Sequence, residues 1–148
     1  PKTAKIKFEI APRAPRGNHI HSMKSVKTAI IVFAHGSSVE SANDAVRAVT
    51  REVARQGEFT LTDTAFLEMA KPDLVQAVEH VISQGAERIV VVPYFLTLGI
   101  HLRRDLPNIV AGILERHPGL AIQVTDPLDG HPSLRQIVLE RAQKALTC

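Results

Sequence analysis

Residues 27–38, KTAIIVFAHGSS, decide the fold. Four strand-favouring apolar residues, IIVF, run into an alanine, and the polar turn HGSS follows. A short apolar run rich in β-branched residues predicts a strand buried on both faces, as in the middle of a parallel sheet. Because open α/β sheets bind ligands at the carboxyl ends of their strands, His35 is predicted to reach the functional edge. Gly36 allows the turn there, and Ser37 or Ser38 is expected to cap the next helix. A plain capping turn with an exposed histidine is the alternative.

The size and composition of the chain favour one globular domain. Its 148 residues are too few for two ordinary domains, and a hydrophobic share of 45% is enough for one domain with a core. No apolar stretch approaches the roughly 20 residues that cross a bilayer, so we expect a soluble protein with no membrane partner. Its single cysteine, Cys148, allows no disulfide framework and favours a reducing cytoplasm.

The charge is unevenly distributed along the chain. The net charge is +3, but residues 1–27 contain seven basic residues and one acidic residue, so the remainder is net negative. With no Trp and one Tyr as well, we predict no nucleic-acid partner. Residues 1–22, with two Ala-Pro pairs and no sustained periodicity, are predicted to form an extended arm of upstream or non-native sequence. Since Met23 directly precedes the first strand, residues 23–148 are predicted to be the single domain.

The apolar periodicity predicts four strand–helix units. Such an alternation implies right-handed crossovers and an α/β fold, a four-stranded parallel sheet with helices on both faces. After the first strand, the predicted elements are a helix at 39–56, a strand at 59–66, a helix from 71 to 85, a strand at 89–92, a helix at 102–117, a strand at 120–125 and a last helix after a turn at 126–132. In the first and last helices the residues predicted to pack inward are Val39, Ala42, Ala45, Val46, Val49, Val53 and Ala54, and Leu134, Ile137, Val138, Leu139, Ala142 and Leu146.

The segment after the third strand, YFLTLGIH at 94–101, is unusually apolar for a connection. Loops normally run through water and avoid such a composition. We therefore expect this loop to wall a pocket for a large flat apolar ligand or to meet another subunit. Ordinary packing against the core is the alternative.

Three polar residues follow the first three predicted strands: His35, Glu68 and His101. They are spaced 33 residues apart, one βα unit each, and are expected at the same edge of the sheet. Two imidazoles and a carboxylate suit an open site for a first-row divalent metal, and the carboxylate can instead accept protons.

Four blocks of sequence point to a family. They are HGSS, AFLEMAKP at 65–72, RIVVVPYFLTLGIHLRRDLP at 88–107 and DPLDGHP at 126–132. Over residues 28–147 the chain resembles the small, single-domain form of the CbiX family, class II chelatases that insert cobalt, iron or nickel into sirohydrochlorin or its relatives. The resemblance implies a flavodoxin-like fold that corresponds to half of a larger, two-domain chelatase. It also implies that this single-domain form works as a homodimer, in cobalamin, siroheme or related biosynthesis. The metal is then a substrate, and no organic cofactor is needed.

The resemblance also implies roles for individual residues. The metal-binding histidines of the family fall on His35 and His101, and its acidic site residue falls on Glu68, which is expected either to accept protons or to ligate the metal. The apolar loop suits the macrocycle and the arginines suit its carboxylates. The predicted substrate-binding residues are Ser37, Tyr94, Phe95, Leu96, Thr97, Leu98, Gly99, Ile100, Arg103 and Arg104.

Other functions remain as alternatives. A metal or tetrapyrrole carrier that binds without catalysing insertion would use the same trio of residues. A serine hydrolase is disfavoured because no G-x-S-x-G motif is present, and a dinucleotide enzyme because no G-x-G-x-x-G follows the first strand. Of the other histidines, His80 and His117 are expected to be structural, and His131 to start the last helix.

Overall fold

The backbone forms four alternating strand–helix units. A computed structural model of the chain describes residues 25–147, apart from the side chain of His101. The expectations for residues 1–22 and for Cys148 lie outside the described residues. Within them, no helix combines the length and apolar character needed to cross a membrane. The elements are β1 (Thr28–Ala34), α1 (Glu40–Gly57), β2 (Leu61–Phe66), α2 (Leu74–Ser83), β3 (Arg88–Pro93), α3 (Ile100–Arg116), β4 (Ala121–Val124) and α4 (Pro132–Leu146).

The four strands form one parallel sheet in the order β2-β1-β3-β4. From β1 the chain moves to one side to form β2, and it then crosses back over β1 to form β3. The direction of winding therefore reverses between β1 and β3. At such a reversal an open α/β sheet leaves a crevice at the carboxyl ends of its strands. The predicted four-stranded parallel α/β fold is confirmed.

The central strand β1 is buried on both faces, as its sequence predicts. Ala29, Ile31 and Phe33 belong to a core cluster with residues of α2 and α3. Because side chains alternate along a strand, Ile30 and Val32 point to the opposite face, on which α1 packs. The apolar run therefore reflects helices on both sides of the sheet.

The side of α1 that faces the sheet differs from the prediction. Its buried residues are Asn43 and Thr50, both polar. The hydroxyl of Thr64 on β2 donates to Thr50 Oγ1 at 2.7 Å, which satisfies this part of the interface. Of the residues predicted to pack inward, Val46, Val49 and Ala54 are half-buried, whereas Val39, Ala42, Ala45 and Val53 are exposed. Hydrogen bonds to partners outside the helix thus set its orientation, and apolar spacing does not record them.

Helix α2 begins at Leu74, later than the predicted start at residue 71, which would place Pro72 in the first turn. Pro72 follows a cis peptide bond from Lys71 and precedes the helix. Asp73 is the N-cap: its side chain accepts the Gln76 N–H at 2.9 Å, and the Gln76 side chain accepts the Asp73 N–H at 3.1 Å. This capping box lowers the pKa of Asp73, chiefly through the hydrogen bond from the Gln76 backbone.

Helix α4 packs little of its apolar surface against the rest of the described chain. Val138 is 69% exposed and Leu146 is 86% exposed, and only Leu134 is half-buried. The prediction that these residues pack inward is therefore wrong for residues 25–147, because helical spacing identifies an apolar face but not the surface that covers it. An apolar groove along α4 is lined by Leu134, Arg135, Val138, Leu139 and Ala142.

Candidate functional site

His35 is the first residue after β1 and lies at the carboxyl edge of the sheet. The next residue, Gly36, has a φ of +91°, which side-chain-bearing residues rarely adopt. A Cβ at Gly36 would lie 1.9 Å from the backbone oxygen of Glu68. The glycine therefore allows the turn that carries His35 to lie directly against the loop that carries Glu68.

Glu68 lies between β2 and α2, in a loop that backbone hydrogen bonds hold beside the His35 turn. The N–H of Leu67 donates to the carbonyl of Ala34 at 2.9 Å, and the N–H of Glu68 donates to the carbonyl of His35 at 3.0 Å. These bonds attach the two residues that follow β2 to the last residue of β1 and to His35. Met69 then adopts a φ of +60° as the chain turns back towards α2.

The side chains of His35 and Glu68 meet at this edge. His35 Nε2 lies 3.2 Å from Glu68 Oε1, and the two side chains are 57% and 53% exposed. An exposed pair of this kind contributes little to stability, so an incoming cation can take its place at low cost. Imidazole nitrogen and carboxylate oxygen both ligate first-row divalent metals, and the carboxylate can also accept a proton.

The third predicted residue, His101, is the second residue of α3 and not part of a loop. Helix α3 begins at Ile100 with Gly99 as its N-cap, two residues earlier than the predicted start at Leu102. Because α3 follows β3, the neighbour of β1, its first turn starts from the same edge of the sheet as His35. The His101 side chain lies outside the described structure. Among the side chains that are described, no three His, Cys, Asp or Glu residues converge to hold a metal ion.

The apolar segment that follows β3, residues 94–100, is divided between the core and the surface. The Phe95 ring packs edge-on against Phe33 at 5.7 Å between centroids and lies 6.5 Å from the His35 ring. Leu98 also packs against the core. Part of the segment therefore follows the core-packing alternative, and the rest presents apolar surface. Its exposed apolar side chains are Tyr94, Leu96 and Ile100.

The predicted arginines lie in the first turns of α3. Arg103 Nε donates to the carbonyl of Leu98 at 3.1 Å and ties the helix to the preceding loop. Arg103 and Arg104 are both exposed, as are Thr97 and Gly99. The guanidinium groups are therefore accessible to anionic groups in solvent.

Asn43, which no sequence motif singles out, also belongs to this region. It is 1% exposed, its Oδ1 accepts the Ser37 N–H at 2.9 Å, and its Nδ2 donates to the Ser37 carbonyl at 2.9 Å. The Ser37 hydroxyl accepts the Val39 N–H at 3.0 Å, but Val39 itself is the N-cap and makes no side-chain cap bond. The expectation that Ser37 or Ser38 caps α1 is therefore wrong. The only sequence signal for this role is that Asn43, a side-chain amide, lies six residues after Ser37 in the turn that follows β1.

Three other histidines have hydrogen-bond partners within the fold, as expected. His80 Nδ1 lies 2.7 Å from Asp63 Oδ2, and His117 Nε2 lies 2.8 Å from Glu79 Oε1. His131 is the N-cap of α4, where its Nδ1 accepts a backbone N–H of the first turn. Each side chain therefore has a partner that accounts for its position.

Comparison with known families identifies the chain. The family model described as CbiX matches residues 29–145, which is nearly all of the described structure. The chain belongs to the CbiX family. The resemblance carried by the four sequence blocks is thereby confirmed.

Relatives of this CbiX-family chain include proteins named as ferrochelatases and proteins named as cobaltochelatases. It is 30% identical over 118 residues to the sirohydrochlorin ferrochelatase, chloroplastic, of Arabidopsis thaliana, covering 80% of this chain and 52% of that protein. It is 29% identical over 118 residues to the sirohydrochlorin cobaltochelatase of Sulfolobus acidocaldarius, covering 80% and 92%. The crystal structure of the sirohydrochlorin chelatase SirB from Bacillus subtilis subspecies spizizenii in complex with cobalt matches with a TM-score of 0.74 and 27% identity, covering 80% and 50%.

The family contains proteins of different lengths. The CbiX-family chain spans about half of the Arabidopsis thaliana protein and of SirB, but nearly all of the Sulfolobus acidocaldarius protein. In the longer relatives, about half of the polypeptide therefore lies outside the region that this chain matches.

Proposed function

We propose that this protein inserts a divalent metal ion, cobalt, iron or nickel, into sirohydrochlorin or a closely related tetrapyrrole. The observation that carries the proposal is the exposed pair of His35 and Glu68, 3.2 Å apart at the carboxyl edge of the sheet. Relatives named as sirohydrochlorin ferrochelatase and cobaltochelatase support the substrate class. The reaction would serve cobalamin, siroheme or related biosynthesis.

Metal insertion makes opposing demands on the protein ligands. The ion must lose water, bind transiently and replace the two protons of pyrrole N–H groups. Two imidazoles, from His35 and His101, would hold the ion and leave coordination positions for the incoming pyrrole nitrogens, whereas a closed four-ligand site would retain it. Glu68 either accepts the pyrrole protons or supplies a third ligand. The exposure of the pair supports release of the ion to the macrocycle.

The tetrapyrrole would lie over the loop between β3 and α3. Its apolar ring suits the exposed Leu96 and Ile100, and its peripheral carboxylates suit the exposed Arg103 and Arg104. The proposed substrate-binding residues are Ser37, Tyr94, Phe95, Leu96, Thr97, Leu98, Gly99, Ile100, Arg103 and Arg104.

We further propose a homodimer formed through the exposed apolar face of α4. An exposed apolar patch such as that around Val138 and Leu139 is typical of an interaction site. A second copy of this chain is the favoured occupant because SirB carries about as much additional polypeptide as another such unit would supply. We propose that residues 23–148 carry this function. Because the chain contains one cysteine, we propose a reducing cytoplasm as its location.

Purified protein tests the proposal directly. Sirohydrochlorin is mixed with Co²⁺, Fe²⁺ or Ni²⁺, and insertion is followed by the change in macrocycle absorption, with and without protein. Acceleration over the spontaneous reaction with many turnovers per chain supports a chelatase, and competition among the three ions ranks them. Stoichiometric binding without acceleration would refute insertion and support the carrier.

A further inference from the structure

A polar network on α1 joins the two loops that carry His35 and Glu68. It begins at the buried Asn43, whose amide accepts the N–H and donates to the carbonyl of Ser37, both at 2.9 Å. An unpaired buried amide is costly, so these two bonds fix the backbone of Ser37. Asn43 therefore holds the His35 turn at Ser37, two residues after the histidine.

The network continues through Glu40 and Arg47. Asn43 Nδ2 also donates to Glu40 Oε2 at 3.1 Å, while Arg47 donates to Glu40 Oε1 and to Asp44 Oδ1. The hydrogen bonds that Glu40 accepts, first from Arg47 and then from Asn43, lower the pKa of its carboxyl group. The Glu40 carboxylate is therefore ionised at neutral pH and holds both donors.

Arg47 connects the network to the loop of Glu68. Its guanidinium donates to the carbonyl of Lys71 at 3.3 Å, three residues after Glu68, and lies 5.2 Å from the ring centroid of Phe66 at the end of β2. The planar guanidinium makes both contacts while it also binds Glu40. Arg47 thus touches the residues on both sides of the Glu68 turn.

We propose that Asn43, Glu40 and Arg47 are positioning residues that keep the His35 turn and the Glu68 loop at the separation needed for metal insertion. The inference rests on the proposed function of that pair. A helix that only had to cover the sheet would bury apolar side chains here, whereas α1 buries a residue of low helix propensity. All three residues act through the loops and need not touch metal or macrocycle.

The variant Asn43→Ala tests the proposal, and Thr50→Val is the matched control. Thr50 is the other buried polar residue of α1, and its side chain accepts a hydrogen bond from Thr64 of strand β2. It makes no hydrogen bond to the His35 turn or to the Glu68 loop. Both variants therefore lose a buried hydrogen bond of the same helix. We expect Asn43→Ala to lower kcat for cobalt insertion at least about tenfold with KM for sirohydrochlorin changed less than about threefold, because displacements near 1 Å cost up to about 100-fold. We expect Thr50→Val to keep kcat within about twofold of the wild type, since neither loop moves.

A second pair of variants serves if Asn43→Ala does not fold. Arg47→Ala removes the contact with Lys71 at a position that is partly exposed, so the fold is expected to persist. Arg47→Lys keeps the charge but not the fork of donors, and we expect it to restore only part of kcat. Full activity in Arg47→Ala would overturn the proposal.

Hydrogen–deuterium exchange separates this inference from the proposed function. In Asn43→Ala we expect faster exchange in residues 36–39 and also in residues 67–71, and in Thr50→Val we expect neither. A wild-type chain that inserts no metal would refute the proposed function, and the exchange would still decide whether the network holds both loops. Unchanged exchange at 67–71, or equal losses of kcat in Asn43→Ala and Thr50→Val, would overturn the inference.

Discussion

The close approach of Gly36 to Glu68 makes Gly36→Ala a sharp test of the site geometry. The new Cβ would lie 1.9 Å from the Glu68 carbonyl oxygen, and real Cβ contacts are essentially never below 3.0 Å, so the loops must separate by at least 1.1 Å. The bond from the Glu68 N–H to the His35 carbonyl, now 3.0 Å, would be lost, as would the 3.2 Å contact of the two side chains. We expect kcat for metal insertion to fall about 100-fold, since a 1 Å misplacement has roughly that effect.

The stability of Gly36→Ala is expected to fall as well. A side chain in the left-handed region costs about 1–2 kcal/mol, and the lost backbone hydrogen bond about 1 kcal/mol. Gly85→Ala is the matched control, since Gly85 has a φ of +94° but its added Cβ would meet only the flexible Lys27 side chain at 3.4 Å. Both variants are measured by urea unfolding and by initial rates of cobalt insertion. A folded Gly36→Ala protein with kcat within about threefold of Gly85→Ala would refute the reasoning.

Four further predictions concern the remaining groups. His101→Ala should abolish insertion with an unchanged circular dichroism spectrum; full turnover would remove His101 from the site. Glu68→Gln should lower kcat more than metal affinity, measured by calorimetry, if Glu68 is a base, whereas equal losses would make it a ligand. The lowered pKa of Asp73 stabilises the fold above its ordinary value of 3.8, and this contribution is lost as pH falls through the lower folded value. Asp73→Asn keeps the cap, so its free energy of unfolding should fall less on acidification; an identical pH profile would contradict this. Val138→Asp should convert the proposed dimer to a folded monomer in sedimentation equilibrium, and an unchanged mass would exclude α4 as the interface.

The order of the elements could be predicted from the sequence because it depends on local patterns. The short apolar run of β1 signals burial on both faces, and the carboxyl end of a central parallel strand places His35 at the functional edge. The same rule places Glu68 at that edge. The 3.2 Å separation of the two side chains, however, depends on Gly36 and on backbone bonds between segments more than 30 residues apart.

The errors concern hydrogen bonds, covered surfaces and a helix start that the spacing of apolar residues does not identify. Asn43 and Thr50 face the sheet because Ser37 and Thr64 offer hydrogen bonds, which helical spacing of apolar residues does not register. For α4 the helical spacing identifies the apolar face, but the surface that covers this face is a tertiary property. The sequence predicts the start of α3 two residues late because its N-cap, Gly99, has no side chain that could make a cap bond.

The rate of cobalt insertion into sirohydrochlorin by the wild type and by His35→Ala tests the central claim most directly. The imidazole of His35 is exposed, so its removal should leave the melting temperature nearly unchanged. The wild type is predicted to exceed the spontaneous rate, and the folded variant to return to it. A His35→Ala protein that turns over as fast as the wild type would contradict the assignment of metal insertion to this edge of the sheet.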